Sequence, residues 1–200
     1  MLNLKKIAVT GGIGAGKSTV CRILKDHGAF TLNSDALIHQ LLSENKACIH
    51  KVIQLLGPNV RENGKIDRKK VADIVFNDDQ KLSALEAILH PLLLEQIEKE
   101  CESIRAKGTC KYFVVELPLV QEIGKAEDFD VIVAVISDQK TALKRFIQLG
   151  FREDTFHKRS LRQWNSEKKA KNADYVIENN GTVEELNQKV LRMLKEIDSR

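Results

Sequence analysis

One stretch near the amino end, Gly11 to Ser18, limits what this chain can fold into more than any other feature. It reads Gly-Gly-Ile-Gly-Ala-Gly-Lys-Ser and completes the pattern G-x-x-x-x-G-K-[ST]. A short apolar, β-branched run ending at Thr10 comes before it, and residues 18–27 have the pattern of a helix. Glycines let such a turn point its N–H groups inward, and the helix start adds the positive end of its dipole. The stretch therefore predicts a strand, a loop and a helix that bind a polyphosphate.

Two side chains at the end of this stretch carry specific expectations. Lys17 is expected to reach the terminal phosphates, and the Ser18 hydroxyl to join the coordination shell of Mg²⁺. The alternative is a glycine-rich turn that binds nothing. The specified positions and both flanks would then have to agree by chance, so we favour a phosphate loop.

Size and charge limit the class of protein. The chain has 200 residues, enough for one well-buried α/β domain with a small insertion. Its net charge of +4 comes from 32 basic and 28 acidic residues, a balance that does not indicate a nucleic-acid-binding protein. The four cysteines form no C-x-x-C pair, and neither a signal-peptide pattern nor an apolar run of about 18 residues is present. We predict a cytoplasmic protein with reduced thiols and without membrane or nucleic-acid partners; its oligomeric state is unknown at this point.

Five strand patterns alternate with helical patterns along the chain, without an internal repeat or an obvious linker. The predicted strands are residues 5–10, 29–33, 111–116, 130–136 and 175–177. The fourth is almost wholly apolar, as is typical of a parallel strand covered on both faces. We predict an α/β fold, a doubly wound five-stranded parallel sheet with right-handed crossovers, in a single domain spanning residues 1–200.

Residues from about 45 to 106 interrupt this alternation. Two turn patterns are followed by apolar positions three and four apart, and we find no strand pattern of any length. Pro91 is expected to kink or restart a helix, and a packing role is the favoured interpretation of His90 before it. The region is predicted to be a helical insertion that recognises a second substrate.

Ligands of a doubly wound sheet bind beyond the carboxyl ends of its strands, which selects two acidic side chains. Asp35 follows the second strand and could orient an acceptor hydroxyl and take its proton; the alternative is an N-cap of the next helix. Glu116 ends the third strand and could reach Mg²⁺ directly or through water; the alternative is a solvated carboxylate. A basic segment at about 150–171 could close over the phosphates as a lid, although such runs are usually solvated helix faces.

Several motifs together resemble one family, the dephospho-coenzyme A kinases, from about Ile7 to Gly181. The resemblance is carried by Thr10 to Thr19, the Asp35 turn, Gly64 to Arg68 before Val75-Phe76, His90-Pro91, Glu116 to Leu119, the Arg145 helix, Arg159 with Gln163, Ala173-Asp174 and Ile177 to Gly181. The form T-G-G-I-G-x-G-K-S and the H-P pair are far more specific together than a bare phosphate loop. The resemblance implies a P-loop kinase fold with an acceptor-binding insertion and a lid.

The activity that the resemblance implies is ATP-dependent phosphorylation of the ribose 3′-hydroxyl of dephospho-coenzyme A, which yields coenzyme A and ADP and completes coenzyme A biosynthesis. Asp35 would position and deprotonate that hydroxyl, Lys17 and Ser18 would bind phosphate and Mg²⁺, and Arg145 would stabilise the transferring group. His90 would help to shape the acceptor site, and Arg152 and Arg159 would belong to the lid. The ATP contacts would be Gly12, Ile13, Gly14, Ala15, Gly16, Lys17, Ser18 and Thr19.

The chain departs from the family pattern at three places. Asn33 stands where an acidic residue is common, so Asp35 alone could act as the base. Leu149-Gly150-Phe151 stands where many members have a second arginine, and Arg152 follows slightly later. Glu116 replaces the usual aspartate, which keeps the charge but changes its reach.

Two competing functions stay open on the sequence. One is another small-metabolite or nucleotide kinase with the same loop and a different insertion. The other is a nucleotide-dependent switch or a nucleic-acid-associated ATPase. Asn45-Lys46 is followed by Ala47-Cys48 and so lacks the guanine-binding pattern N-K-x-D, and the basic residues concentrate in one segment rather than along a broad stripe.

Overall fold

Five strands form the central sheet of the computed structural model, which describes residues 4–62 and 64–199. The strands of the described chain are β1 Lys5–Gly11, β2 Phe30–Asn33, β3 Arg61–Glu62, β4 Lys65–Ile66, β5 Tyr112–Glu116, β6 Val131–Ile136 and β7 Tyr175–Glu178. The helices are α1 Lys17–Asp26, α2 Ser34–Glu44, α3 Lys46–Leu56, α4 Arg68–Val75, α5 Asp79–Lys107, α6 Gln139–Gln148, α7 Glu153–Ser160, α8 Ser166–Lys171 and α9 Val183–Asp198.

The chain divides into two units, residues 1–32 with 104–200 and residues 33–103. The first unit contains the sheet, with strand order β2-β5-β1-β6-β7. β1 lies between β5 and β6 and runs parallel to both, and β7 runs parallel to β6. The doubly wound α/β fold and the five-stranded parallel sheet predicted from the sequence are confirmed.

The core of the first unit explains why β1 and β6 are so apolar. Val9 in β1 and Val133 in β6 are fully buried, and they are joined by Val20 and Leu24 of α1 and by Val190 of α9. These side chains lie on one face of the sheet, and Ile132 and Ala134 on the opposite face of β6 are also buried, so the strand is apolar at every position. This packing fixes β1, and therefore the loop that follows it, in the middle of the sheet.

The second unit is mostly helical, with α2, α3, α4 and most of α5, and it begins at Asn33, earlier than the start predicted near residue 45. It also contains an antiparallel hairpin that pairs Arg61 with Ile66 and Glu62 with Lys65. The expectation of no strand in this region was therefore wrong. Two-residue strands are too short to show an alternating pattern, so periodicity could not reveal them. The description of the whole chain as one domain with an insertion and a lid stays a prediction.

Helix α5 continues through Pro91 from Asp79 to Lys107, so the helix does not restart at the proline. Proline inside a helix removes one hydrogen bond and costs about 3 kcal/mol. A row of buried apolar side chains offsets this cost on one face of the helix, namely Leu85, Leu89, Leu93, Ile97 and Cys101. Within the described residues, no helix combines the length and the apolar character needed to cross a membrane.

Candidate active site

The loop after β1 has the backbone of a phosphate-binding loop. β1 ends at Gly11, α1 begins at Lys17, and Gly16 between them has φ +99°, in the left-handed region that favours glycine. A Cβ atom at Gly16 would lie 2.1 Å from Nδ2 of Asn179, and one at Gly14 would lie 2.2 Å from the carbonyl oxygen of Ala142. Both glycines therefore allow the loop to pack against its neighbours, and the predicted strand, loop and helix are present in this order.

Lys17 is held against the loop. Its side chain is largely buried, and Nζ donates to the carbonyl oxygens of Gly11 at 3.0 Å and Gly12 at 2.9 Å. Two carbonyl oxygens at these distances fix the ammonium at the inner edge of the turn. A positive charge in this position lies beside the same turn whose N–H groups suit phosphate oxygens.

The Ser18 hydroxyl, in the first turn of α1, contacts the Glu116 carboxylate at the carboxyl end of β5. Ser18 Oγ donates to Glu116 Oε1 at 2.8 Å, and Glu116 is paired across the sheet with Val9. Glu116 is 8% exposed, so the alternative of a solvated strand-end carboxylate is wrong. Hydroxyl and carboxylate oxygens are the ligand type that Mg²⁺ prefers, so this pair fits the ion.

Cys21 lies one helical turn beyond Ser18. Burial raises the pKa of the Cys21 thiol, and the negative charge of Glu116 raises it further, while Lys17 has a smaller opposing effect. A thiol with a raised pKa is protonated near neutral pH and is a poor nucleophile. The cysteine is therefore a packing residue at the edge of the site.

Arg145 and the loop share one partner, Asn179, which directly follows β7. Arg145 Nη1 donates to the Asn179 carbonyl oxygen at 2.8 Å, and Nη2 lies 3.4 Å from Oδ1 of the same residue. Asn179 Nδ2 donates to the carbonyl oxygen of Ala15 at 2.8 Å. Asn179 thus holds the arginine mainly through its backbone carbonyl and the phosphate loop through its side-chain amide. Sequence reasoning gave Asn179 no role, although its place at the carboxyl end of a strand could have identified it.

We expect Asn179→Ala to destabilise the protein by about 1–3 kcal/mol, because the substitution leaves the carbonyl of Ala15 without its donor. Denaturant unfolding measures this change, and a nucleotide titration should show weaker ATP binding. Asn180→Ala is the matched control, since Asn180 is exposed and accepts only from the Asp138 N–H in a surface bond. Equal stability losses in the two variants would contradict a special role for Asn179.

In the second unit, Asp35 is exposed in the first turn of α2. The N-cap of this helix is Asn33, whose side-chain oxygen accepts from the N–H of Ala36 at 2.9 Å. The capping alternative considered for Asp35 is therefore wrong, and the asparagine that replaces the usual acidic residue has a structural role. His90 lies in α5 of the same unit and is half-buried.

The basic segment at 150–171 contains α7 and α8. Arg152 is exposed, and its guanidinium lies 3.1 Å from a carboxylate oxygen of Asp154. Arg159 is also exposed, with its guanidinium carbon 5.9 Å from the centre of the Phe151 ring. The lid role of Arg152 and Arg159 stays a prediction.

A phosphate loop after the central strand of a parallel sheet, with a buried lysine and a serine–carboxylate pair, defines a nucleotide-binding protein of the P-loop class. The family model for dephospho-CoA kinase matches residues 5–185 of this chain. A dephospho-CoA kinase of Protochlamydia amoebophila is 39% identical over 199 residues, covering 98% of each chain, and one of Aquifex aeolicus is 37% identical over 195 residues, covering 97% of this chain and 98% of its own. The solved structure of a dephospho-CoA kinase from Campylobacter jejuni superimposes with a TM-score of 0.72 at 27% identity, covering 97% of both chains. The chain belongs to the dephospho-CoA kinase family.

Proposed function

We propose that this protein transfers the γ-phosphoryl group of ATP to the ribose 3′-hydroxyl of dephospho-coenzyme A and releases coenzyme A and ADP. Membership of the dephospho-CoA kinase family supports the two substrates. The observation that carries the chemistry is the Lys17 ammonium held at the inner edge of the phosphate loop. Phosphoryl transfer needs positioned charge and exclusion of water more than an unusual nucleophile, and this site supplies positioned charge.

Asp35 is the proposed base. The ribose oxygen would form a bond to the γ-phosphorus, the bond from that phosphorus to the β,γ-bridging oxygen would break, and the hydroxyl proton would pass to the Asp35 carboxylate. Two observations support this role. Asp35 follows β2 at the carboxyl side of the strand, and Asn33 caps the helix so that the carboxylate of Asp35 is not used for capping.

Lys17 and Arg145 are the proposed charge-neutralising groups. Lys17 would contact the β- and γ-phosphates, and Arg145 would face the transferring group, held by its two contacts with Asn179. Charges fixed before the reaction stabilise a transition state at less cost than charges that must first be oriented. The eight residues from Gly12 to Thr19 would form the remaining contacts with ATP.

Ser18 and Glu116 would hold Mg²⁺, which when bound would neutralise part of the phosphate charge. Their close contact supports this assignment, because it brings two oxygen donors to one point beside the loop. His90 in the acceptor site, Arg152 and Arg159 in a lid, and a cytoplasmic location remain parts of the proposal that rest on the sequence.

An acceptor screen tests the function. The purified protein is supplied with ATP and Mg²⁺, and release of ADP is followed with dephospho-coenzyme A, nucleoside monophosphates and small alcohols as separate acceptors. We expect rapid turnover with dephospho-coenzyme A alone. Coenzyme A itself is the matched control, since its 3′-hydroxyl already carries phosphate. Turnover of a nucleoside monophosphate without turnover of dephospho-coenzyme A would contradict the proposal.

A further inference from the structure

A lysine of α8, Lys169, has its whole side chain buried in the first unit. Its ammonium has three acceptors around it: Thr10 Oγ1 at 3.2 Å, the carbonyl oxygen of Pro118 at 2.7 Å, and the Glu122 carboxylate, whose oxygens lie 2.7 and 2.9 Å away. An ammonium has three N–H donors, so this environment satisfies each of them. Burial lowers the pKa of Lys169, and the Glu122 carboxylate opposes this effect.

Two of these acceptors belong to the strand ends that carry the proposed active site. Thr10 immediately precedes Gly11 and is itself fully buried, and its hydroxyl donates to the carbonyl oxygen of Pro118 at 2.8 Å. Pro118 follows Glu116 and Leu117, and the N–H of Leu117 donates to the carbonyl oxygen of Val9. Lys169 therefore contacts β1 just before the phosphate loop begins, and it contacts the turn that follows Glu116.

The third acceptor, Glu122, also holds the carboxyl-terminal part of the basic segment. Its Oε1 accepts from the backbone N–H of Trp164 at 2.9 Å. The neighbouring Gln121 donates to the carbonyl oxygens of Lys169 at 3.0 Å and Asn172 at 2.6 Å. These contacts fasten residues 164–172, which we call the anchor segment, to the turn after β5.

A buried ion pair is costly to form, because both charges lose their water. Replacing such a pair with apolar side chains of similar volume is often neutral or stabilising, so stability alone does not explain why it is present. Here the pair joins three separate parts of the chain: the end of β1, the turn after β5 and the anchor segment. A connection of this kind would set the spacing between the phosphate loop and the basic segment that is predicted to close over it.

We propose that Lys169 and Glu122 are positioning residues for phosphoryl transfer, which hold the phosphate loop and the anchor segment of the basic region at a fixed spacing. Both side chains are largely buried, that of Lys169 completely, so the pair acts through Thr10 on the loop and through Trp164 on the basic region. This inference rests on the proposed function, since the phosphoryl transfer that it serves is the one proposed above. The inference gives the Lys169–Glu122 pair a role in the rate of phosphoryl transfer as well as in the stability of the fold.

The test uses Lys169→Met, which keeps the length of the side chain and removes its donors, and Glu122→Gln, which keeps the shape and removes the charge. Lys195→Met is the matched control, because Lys195 is exposed in α9. All assays are run well below each melting temperature, so that the folded fraction is the same. Trp164 is the only tryptophan of the chain, so quenching of its fluorescence by acrylamide reports on the anchor segment alone.

In both variants we expect kcat to fall about 10- to 100-fold, as is typical when reacting groups are displaced by about 1 Å. The KM for dephospho-coenzyme A should change much less, because the side chains of the pair are largely buried away from solvent. Acrylamide should quench Trp164 more efficiently, and the dissociation constant for ATP should rise. Should Lys169→Met not fold, Glu122→Gln decides the question by itself.

A folded variant with unchanged kcat, or with unchanged quenching of Trp164, would overturn the proposal and leave the pair a purely structural role. Failure of the proposed function is a separate result, namely a parent protein that does not phosphorylate dephospho-coenzyme A. In that case quenching and ATP affinity still decide the inference: increased quenching with weaker ATP binding supports the positioning role, and no change in either overturns it.

Discussion

Lys17→Ala is expected to lower kcat/KM by about a thousandfold, because it removes a positive charge that is positioned at the phosphates. The ammonium is fixed by the carbonyl oxygens of Gly11 and Gly12, so it is oriented before the nucleotide binds. Alanine removes the charge and leaves no side chain that could replace it. Steady-state kinetics with varied ATP and dephospho-coenzyme A measure the effect.

The same helix supplies a control for this substitution. Lys25→Ala removes an exposed lysine from the last turn of α1 and should leave kcat/KM close to that of the parent protein. Both variants should remain folded, since the buried side chains that anchor α1, such as Val20 and Leu24, are unchanged. An unchanged kcat/KM in Lys17→Ala would remove the lysine from the mechanism.

Asp35→Asn is expected to lower kcat by about 10²- to 10⁴-fold while ATP binds with unchanged affinity. Asparagine keeps the shape of the side chain but cannot accept the proton of the ribose hydroxyl. The fold should tolerate the change, because Asn33 caps the helix, and a lost carboxylate in the first turn costs about 0.3–1 kcal/mol through the helix dipole. Rapid-quench kinetics at saturating substrate separate the chemical step from product release.

Asp26→Asn is the matched control, since it removes an exposed carboxylate at the end of α1 and should leave kcat unchanged. A nucleotide titration of Asp35→Asn confirms that the ATP site is intact. Near-normal kcat in that variant would show that another group takes the proton or that no base is needed. A variant with lost ATP affinity would instead show that Asp35 supports the nucleotide site.

Asn33 has a structural role that the comparison with the family pattern did not indicate. In that pattern its position is usually acidic, so the asparagine leaves Asp35 as the only candidate base of this turn. In the structure its side chain caps α2, a role that asparagine and aspartate perform about equally well. The capping role depends only on residues three apart in the chain, so it could have been predicted from the sequence.

Pro91 and the hairpin at residues 61–66 show where local patterns were insufficient. Proline favours a helix break, but the row of buried apolar side chains along α5 outweighs this preference. The hairpin has strands of two residues each, so its pairing leaves no alternating pattern in the sequence. At Pro91 tertiary packing outweighed the local preference, whereas the Asn63-Gly64 pair between the two short strands is itself a sequence that favours a hairpin turn.

The sequence by itself determined the phosphate loop, the five-stranded sheet and the family, because glycine conformation, helix starts and apolar runs are properties of residues that adjoin one another. Tertiary structure alone decided that Asn179 joins Arg145 to Ala15 and that Lys169 joins Thr10 to Glu122. These contacts link residues far apart in the chain. The identity of a lysine or an asparagine in the sequence does not show whether its side chain is buried or exposed. Only the folded chain supplies the acceptors that make a buried ammonium or amide stable.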